Sequence, residues 1–216
     1  MIIVGLTGSV GMGKSTAAAM LRRLGIAVHD SDAAVHRLLA ARGAAVAAVA
    51  AAFPGVENAA GGIDRALLGR RVFGEPAALR QLERILFPMV RRSQEWFLRQ
   101  ARARRARLVV LDIPLLFESD GAARCDKVMV VSAPAALQRA RVMARPGMTE
   151  ARFRAVLAQQ MPDAEKRRRA DYVVPTGLGR AVTLRRIRRI VATLLKDSGE
   201  IGRERRRRRK SSAARP

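Results

Sequence analysis

Met1-Ile2-Ile3-Val4-Gly5-Leu6-Thr7-Gly8-Ser9-Val10-Gly11-Met12-Gly13-Lys14-Ser15-Thr16, the first residues of the chain, decide its fold. The apolar run from Met1 to Leu6 reads as a buried strand. It feeds a glycine turn, and Ser15 to Leu21 continues as a good helix former. Residues 8–15 complete the spacing Gly-x-x-x-x-Gly-Lys-Ser of a phosphate-binding loop. Backbone N–H groups of such a loop surround phosphates, and the helix N-terminus adds its partial positive charge. Gly8, Gly11 and Gly13 let the chain turn without Cβ clashes. Gly8, Ser9, Val10, Gly11, Met12, Gly13, Lys14, Ser15 and Thr16 are therefore the expected contacts of a nucleoside triphosphate. Lys14 is expected on the β- and γ-phosphates, and the Ser15 hydroxyl on Mg²⁺.

The composition narrows the class. With 216 residues, 49% of them hydrophobic and 4% aromatic, the chain can bury a substantial core packed mainly by Ala, Leu, Val and Ile. The single cysteine, Cys125, excludes an internal disulfide and a Cys-rich metal site. Two histidines, His29 and His36, argue against a histidine zinc site. The first residues are a strand and a loop rather than a signal peptide, and the longest apolar stretches are Ala-rich and too short or weak to span a bilayer. A soluble, cytoplasmic protein without a membrane partner is the expectation. The formal charge is +24. Part of it sits in Arg205-Arg206-Arg207-Arg208-Arg209-Lys210, which repels itself and has nothing apolar to bury, so residues 197–216 are expected to be a disordered basic tail. Such a tail attracts polyanions nonspecifically, and no specific nucleic acid partner is implied.

Further strands are expected at Ile26 to His29, Leu108 to Asp112, Lys127 to Val131 and Ala170 to Pro175, with helical segments between them. Strands that alternate with helices and are largely apolar imply an α/β fold, a parallel sheet flanked by helices on both faces. The roughly 75 residues between the second and third strands exceed one crossover helix and read as an inserted helical substrate-binding region. Within it Asp64 caps a helix starting at Arg65, Glu75-Pro76 starts a longer one, and Pro88 marks a kink or break. The last helix runs from about Arg180 to Leu195.

Ligands of an open parallel sheet lie beyond the C-terminal ends of its strands, and Asp30, Asp32 and Asp112 fall there. A carboxylate after strand two can face the γ-phosphate and hold an acceptor hydroxyl. One after strand three can hold Mg²⁺ or its water. The Asn-Lys-x-Asp guanine site of a GTPase is missing from the sequence.

Several blocks together resemble the dephospho-CoA kinase family over about residues 2–195. They are Gly5 to Ser15, Asp30-Ser31-Asp32 with His36 one turn on, and Leu111-Asp112-Ile113-Pro114-Leu115-Leu116-Phe117-Glu118. Arg141-Val142-Met143-Ala144-Arg145, Gln160-Met161-Pro162 and Ala170-Asp171-Tyr172-Val173-Val174 complete the match. The resemblance implies a P-loop NTPase-type core, a helical CoA-binding domain and a small helical lid over ATP. On this chain they map to residues 1–32, 108–136 and 167–196 for the core, 33–107 for the acceptor region and 137–166 for the lid. It also implies transfer of the γ-phosphoryl of ATP to the 3′-hydroxyl of dephospho-CoA, with Mg²⁺. Asp32, Lys14 and Arg141 would be catalytic, and Arg145 and Thr176 would join the loop in holding ATP. Asp32, His36, Phe87, Asp112 and Leu115 would meet the acceptor, and Ser15 and Asp112 the metal. His36 is read either as an acceptor contact or as local packing, and Arg141 and Arg145, one turn apart, either as phosphate ligands or as solvated arginines. The family's usual His-Pro is Phe87-Pro88 here, and its frequent Asn after the fifth strand is Thr176. Another P-loop kinase and a nucleic-acid-associated ATPase are the alternative readings.

Overall fold

In the computed structural model residues 1–72, 74–119 and 121–212 are described, the last fifteen of these as backbone only. The chain forms two compact units, one of Met1–His29 with Ala101–Pro216 and one of Asp30–Gln100. The helical insert expected at residues 33–107 therefore starts and ends a few residues earlier, while the expected lid falls inside the first unit.

The first unit is built on a parallel sheet of five strands in the order β2-β3-β1-β4-β5. These are β1 (Ile2–Thr7), β2 (Ala27–Asp30), β3 (Leu108–Asp112), β4 (Lys127–Ser132) and β5 (Tyr172–Pro175). The central strands are apolar along their whole length because helices or turns cover both faces. The pairing sets Leu6 beside Asp112 and Thr7 beside Val130, so the strand ends that carry polar groups share one edge. Helices α1 (Lys14–Arg23) and α9 (Arg180–Ser212) cover one face. There Ala17, Leu21, Ile187, Ile190 and Leu194 join Val4, Leu6, Val110 and Met129 in one core. On the other face Leu116 and Cys125 press so closely on β1 that a Cβ on Gly5 would lie 2.8 Å from Leu116 Cδ2. Burial pushes the half-buried Cys125 thiol up to about 11, which keeps it protonated.

The second unit holds α2 (Ser31–Leu39), α3 (Val46–Ala52), α4 (Arg65–Val72) and most of α5 (Pro76–Ala103). Asp64 caps α4 as expected, its Oδ1 accepting from the Ala66 and Leu67 amides at 2.8 and 3.0 Å. Leu39, Val49, Phe53, Leu68, Leu82 and Leu86 form its core. Of the kink or break expected at Pro88, the break does not occur: α5 is one helix of 28 residues with Pro88 inside it. Proline removes one N–H, but Leu82 and Leu86 before it and Met89 after it pack into the same core and carry the helix through. Gln94, 2% exposed, ties α5 to Ser31 by a 3.1 Å bond.

Three further helices follow β4 in the first unit: α6 (Ala135–Met143), α7 (Glu150–Ala158) and α8 (Asp163–Arg169). Thr149 caps α7 through the Arg152 amide. The short α8 is not visible as a separate helix in the apolar pattern. It is favoured instead by acids Asp163 and Glu165 in its first turn and four cations in its last, which complement the helix dipole. The disordered tail expected from residue 197 is also corrected as far as Ser212, because α9 continues through Arg205–Lys210. Arg, Lys and Glu are good helix formers, and Gly199 and Gly202 are the main interruptions. Residues 213–216 of that expectation lie outside the described residues. No helix among the described residues is long and apolar enough to cross a membrane.

An ion pair with a buried lysine fastens α8 to the turn after β3. Lys166 Nζ, with its side chain 0% exposed, lies 2.8 Å from Glu118 Oε1, and the Met161 amide donates to the same oxygen at 2.8 Å. Burial pulls the Glu118 pKa upward, but Lys166 and the backbone amides outweigh it and hold the carboxyl below its ordinary value. Replacing Glu118 by Ala leaves an uncompensated buried ammonium, and we expect a loss of about 3 kcal/mol in denaturant unfolding. A depressed carboxyl pKa stabilises the fold at pH values above its unfolded value and loses that contribution as pH falls through the folded value. Glu118→Gln should therefore flatten the acid limb of the stability profile below about pH 4.3; an unchanged limb would count against the pair.

Candidate active site

The phosphate-binding sequence folds as its spacing requires. β1 ends at Thr7, whose Oγ1 donates to the Pro114 carbonyl at 2.9 Å. The chain then turns through residues 8–13 and enters α1 at Lys14. Gly11 and Gly13 have φ of 76° and 86°, a region that side chains resist. A Cβ on Gly11 would also lie 2.6 Å from Val142 Cγ2 and 2.9 Å from the Gln138 carbonyl. α1 has no side-chain cap and no acid in its first turn, so the positive end of its dipole stays directed at the loop.

Lys14 Nζ lies 2.7 Å from Asp112 Oδ1, and Asp112 is 2% exposed at the end of β3. Asp112 thus holds the lysine next to the loop. Ser15 is exposed and Thr16 half-buried. Ser9 is buried and its carbonyl accepts from the Met12 amide at 3.1 Å. Val10 differs from a simple open cradle, because both of its backbone polar groups bond to glutamine side chains: N–H to Gln160 Oε1 at 3.0 Å and C=O to Gln138 Nε2 at 2.8 Å.

Arg141, on α6, is also drawn to the loop. Its Nη2 donates to the Thr176 carbonyl at 2.7 Å, and its Nη1 to Thr176 Oγ1 at 3.1 Å and more weakly to the Gly11 carbonyl at 3.4 Å. Thr176, 7% exposed, donates from Oγ1 to the Met12 carbonyl at 2.8 Å. The Thr176 hydroxyl is therefore engaged within the protein, and Thr176 braces the loop. Arg145 is not on the same helical face as Arg141, since α6 ends at Met143 and Arg145 stands exposed in the following turn. Pro146 and Gly147 behind it stop the helix there. Leu115 is half-buried, and its carbonyl accepts from the Ser119 amide and hydroxyl.

The first unit thus brings together residues 8–16, Asp112, Arg141 and Thr176. Asp32, His36 and Phe87 belong to the second unit. Asp30 Oδ1 accepts from the Ala33 amide at 2.9 Å and starts α2, which places Asp32, exposed, in its first turn. His36 is exposed one turn on, with Nδ1 3.2 Å from Arg65 Nη1. Phe87 is 42% exposed on α5 and lines an open cavity of about 680 Å³ with Arg80, Arg84 and Pro88. Glu118, Gln138, Gln160 and Lys166 have no assigned role in the sequence reading. Glu118 and Gln160 stand in its matched blocks, which is the signal that could have found them.

Known proteins assign the chain to a family. The dephospho-CoA kinase family model matches residues 2–178. A dephospho-CoA kinase of Rhodospirillum rubrum is 60% identical over 187 residues, 87% of this chain and 89% of that protein. One from Paramagnetospirillum magneticum is 65% identical over 167 residues, 77% of this chain and 78% of that protein. A crystal structure from Thermus thermophilus superposes with a TM-score of 0.76 at 39% identity, covering 89% of this chain and 96% of that one. The chain belongs to the dephospho-CoA kinase family, enzymes that phosphorylate dephospho-CoA with ATP to give coenzyme A in the last step of its biosynthesis.

Proposed function

We propose that residues 8–16 cradle the β- and γ-phosphates of ATP and that Asp32 takes the proton of the ribose 3′-hydroxyl of dephospho-CoA as that oxygen attacks the γ-phosphorus in line. The new O–P bond forms as the bond from the γ-phosphorus to the bridging oxygen breaks, and ADP leaves. The observation that carries this reading is the 2.7 Å pair between Lys14 and Asp112 beside a loop that no side chain could line at Gly11. Asp112 fixes the ammonium before the nucleotide arrives, so Lys14 meets the charge developing on the transferred group with little reorganisation. Mg²⁺ bound with ATP neutralises phosphate oxygens. Among the described residues no group of three or more His, Cys, Asp or Glu could hold a metal, which fits a cation carried mainly by phosphates and water with the exposed Ser15 hydroxyl and Asp112 as the protein's oxygen donors. Asp32 follows β2 directly, where ligands of such sheets lie. His36 and the Phe87 cavity supply the proposed acceptor surface, with Leu115 beside the loop. Arg145, exposed at the end of α6, is the arginine proposed to reach the triphosphate, while Arg141 positions the loop. The family and its small-molecule substrates support a cytoplasmic location.

Lys14→Ala should abolish detectable transfer to dephospho-CoA. Asp32→Asn should retain ATP affinity while turnover falls by at least about 100-fold; unchanged turnover would remove Asp32 from the mechanism. The two arginines should separate kinetically. Arg145→Ala raises the ATP KM with little change in kcat, whereas Arg141→Ala lowers kcat as well because the loop loses its brace, and two silent variants would return both to solvated arginines. Truncation after Glu200 should leave kcat unchanged and weaken retention on heparin at low salt. A large loss of kcat in the folded, truncated protein would refute a merely electrostatic role for the basic segment.

A further inference from the structure

Val10 stands at the tip of the phosphate loop, and the two side chains that hold it come from segments more than a hundred residues away. Gln138 lies on α6 and is 6% exposed. Gln160 follows α7, and the next amide, Met161 N–H, is anchored on Glu118 Oε1 at 2.8 Å. A backbone N–H only donates and a carbonyl only accepts, so the Val10 peptide itself fixes the orientation of both amides. Gln160 presents Oε1 to the N–H at 3.0 Å, and Gln138 presents Nε2 to the C=O at 2.8 Å. α6 also touches the next residue of the loop, since the Gln138 carbonyl would lie 2.9 Å from a Cβ on Gly11.

We propose that Gln138 and Gln160 are positioning residues for phosphoryl transfer, a donor and an acceptor that clamp the Val10 peptide from opposite sides. The Val10 N–H is directed to Gln160, so it is not one of the amides offered to phosphate. Its role is to fix where the following amides of the loop stand. With the clamp in place, the loop tip moves only with α6 and the Glu118-anchored segment. Released, the tip gains freedom that binding ATP must remove before the γ-phosphorus is in line, and both affinity and turnover fall.

The opposite polarity of the two bonds gives the test. Gln160→Glu keeps an acceptor for the Val10 N–H. Gln138→Glu removes the donor and sets a carboxylate against the Val10 carbonyl. Both changes add the same charge on the two sides of one residue, so repulsion of ATP is common to them. Gln138→Met and Gln160→Met remove each bond at nearly constant shape and serve where a charged variant fails to fold. For each, kcat and the ATP KM are measured at saturating dephospho-CoA, thermal unfolding is followed, and hydrogen exchange of the Val10 amide is read without nucleotide.

We expect kcat/KM to fall at least about tenfold further in Gln138→Glu than in Gln160→Glu, and by roughly fivefold in each Met variant with the fold retained. Val10 exchange should accelerate in Gln160→Met and stay near wild type in Gln160→Glu. Two Glu variants that behave alike would overturn the proposal. So would Met variants with kcat/KM within twofold of wild type, even with Val10 exchange accelerated, because the glutamines would then satisfy buried groups without positioning anything. The inference rests on residues 8–16 as the ATP cradle, and an intact ATP affinity in Lys14→Ala would count against that cradle rather than against the clamp, whose exchange signature is read in the absence of ATP.

Discussion

A loop that offers its backbone N–H groups to an anion cannot pair them within a helix or a sheet. Its other polar atoms are buried all the same, and a buried backbone group without a partner costs free energy comparable to a lost hydrogen bond. This constraint organises the first unit. The Val10 peptide is satisfied by Gln138 and Gln160, the Met12 carbonyl by Thr176, and Thr176 in turn by Arg141. Met12 adds its thioether as an acceptor for the Ala133 amide at 3.1 Å. Each partner comes from beyond β4, so the loop takes its shape only once the C-terminal half of the chain is in place.

Charge is handled by the same logic. On a chain of +24 the informative cations are those drawn out of solvent, Lys166 buried and Lys14 half-buried. Lys14 is paired with Asp112 and Lys166 with Glu118, and those two acids bracket the five residues that leave β3. One segment therefore holds the lysine of the loop and anchors α8. Exposed arginine pairs such as Arg139 with Glu150 contribute little by comparison, because solvent screens them. The ends of the block from Asp112 to Glu118 are two ion-pair partners, with Pro114 and Leu116 in the turn between them.

Motifs whose chemistry is local were legible in the sequence. The glycine spacing of residues 8–15, the caps at Asp64 and Thr149, and the apolar strands all express rules that act within a few residues. Tertiary effects were not. Pro88 suggested a break because proline removes a hydrogen bond, yet packing on both sides of it carried α5 through. Arg145 was placed on a helical face by spacing alone, and the turn at Pro146 lies outside that periodicity. The partners of Gln138, Gln160, Thr176 and Glu118 are more than thirty residues away in each case, and no local pattern reports them. Asp32 and His36 stood out by position after β2, and their role remains tied to that position.

Thr176 illustrates how a departure from a family pattern can be absorbed. Its hydroxyl donates to the Met12 carbonyl and accepts from Arg141, so one small group serves both directions of the lattice. A hydroxyl can do this because it is donor and acceptor at one atom, whereas a carboxamide divides the two functions between separate atoms. The close approach of Gly13 sets the limit, since a Cβ there would already lie 3.2 Å from Thr176 Oγ1. At this position a compact side chain lets the strand end, the loop and α6 meet with their polar groups paired. Arg141 is consequently drawn to Thr176, while Arg145 stands exposed in the turn after α6.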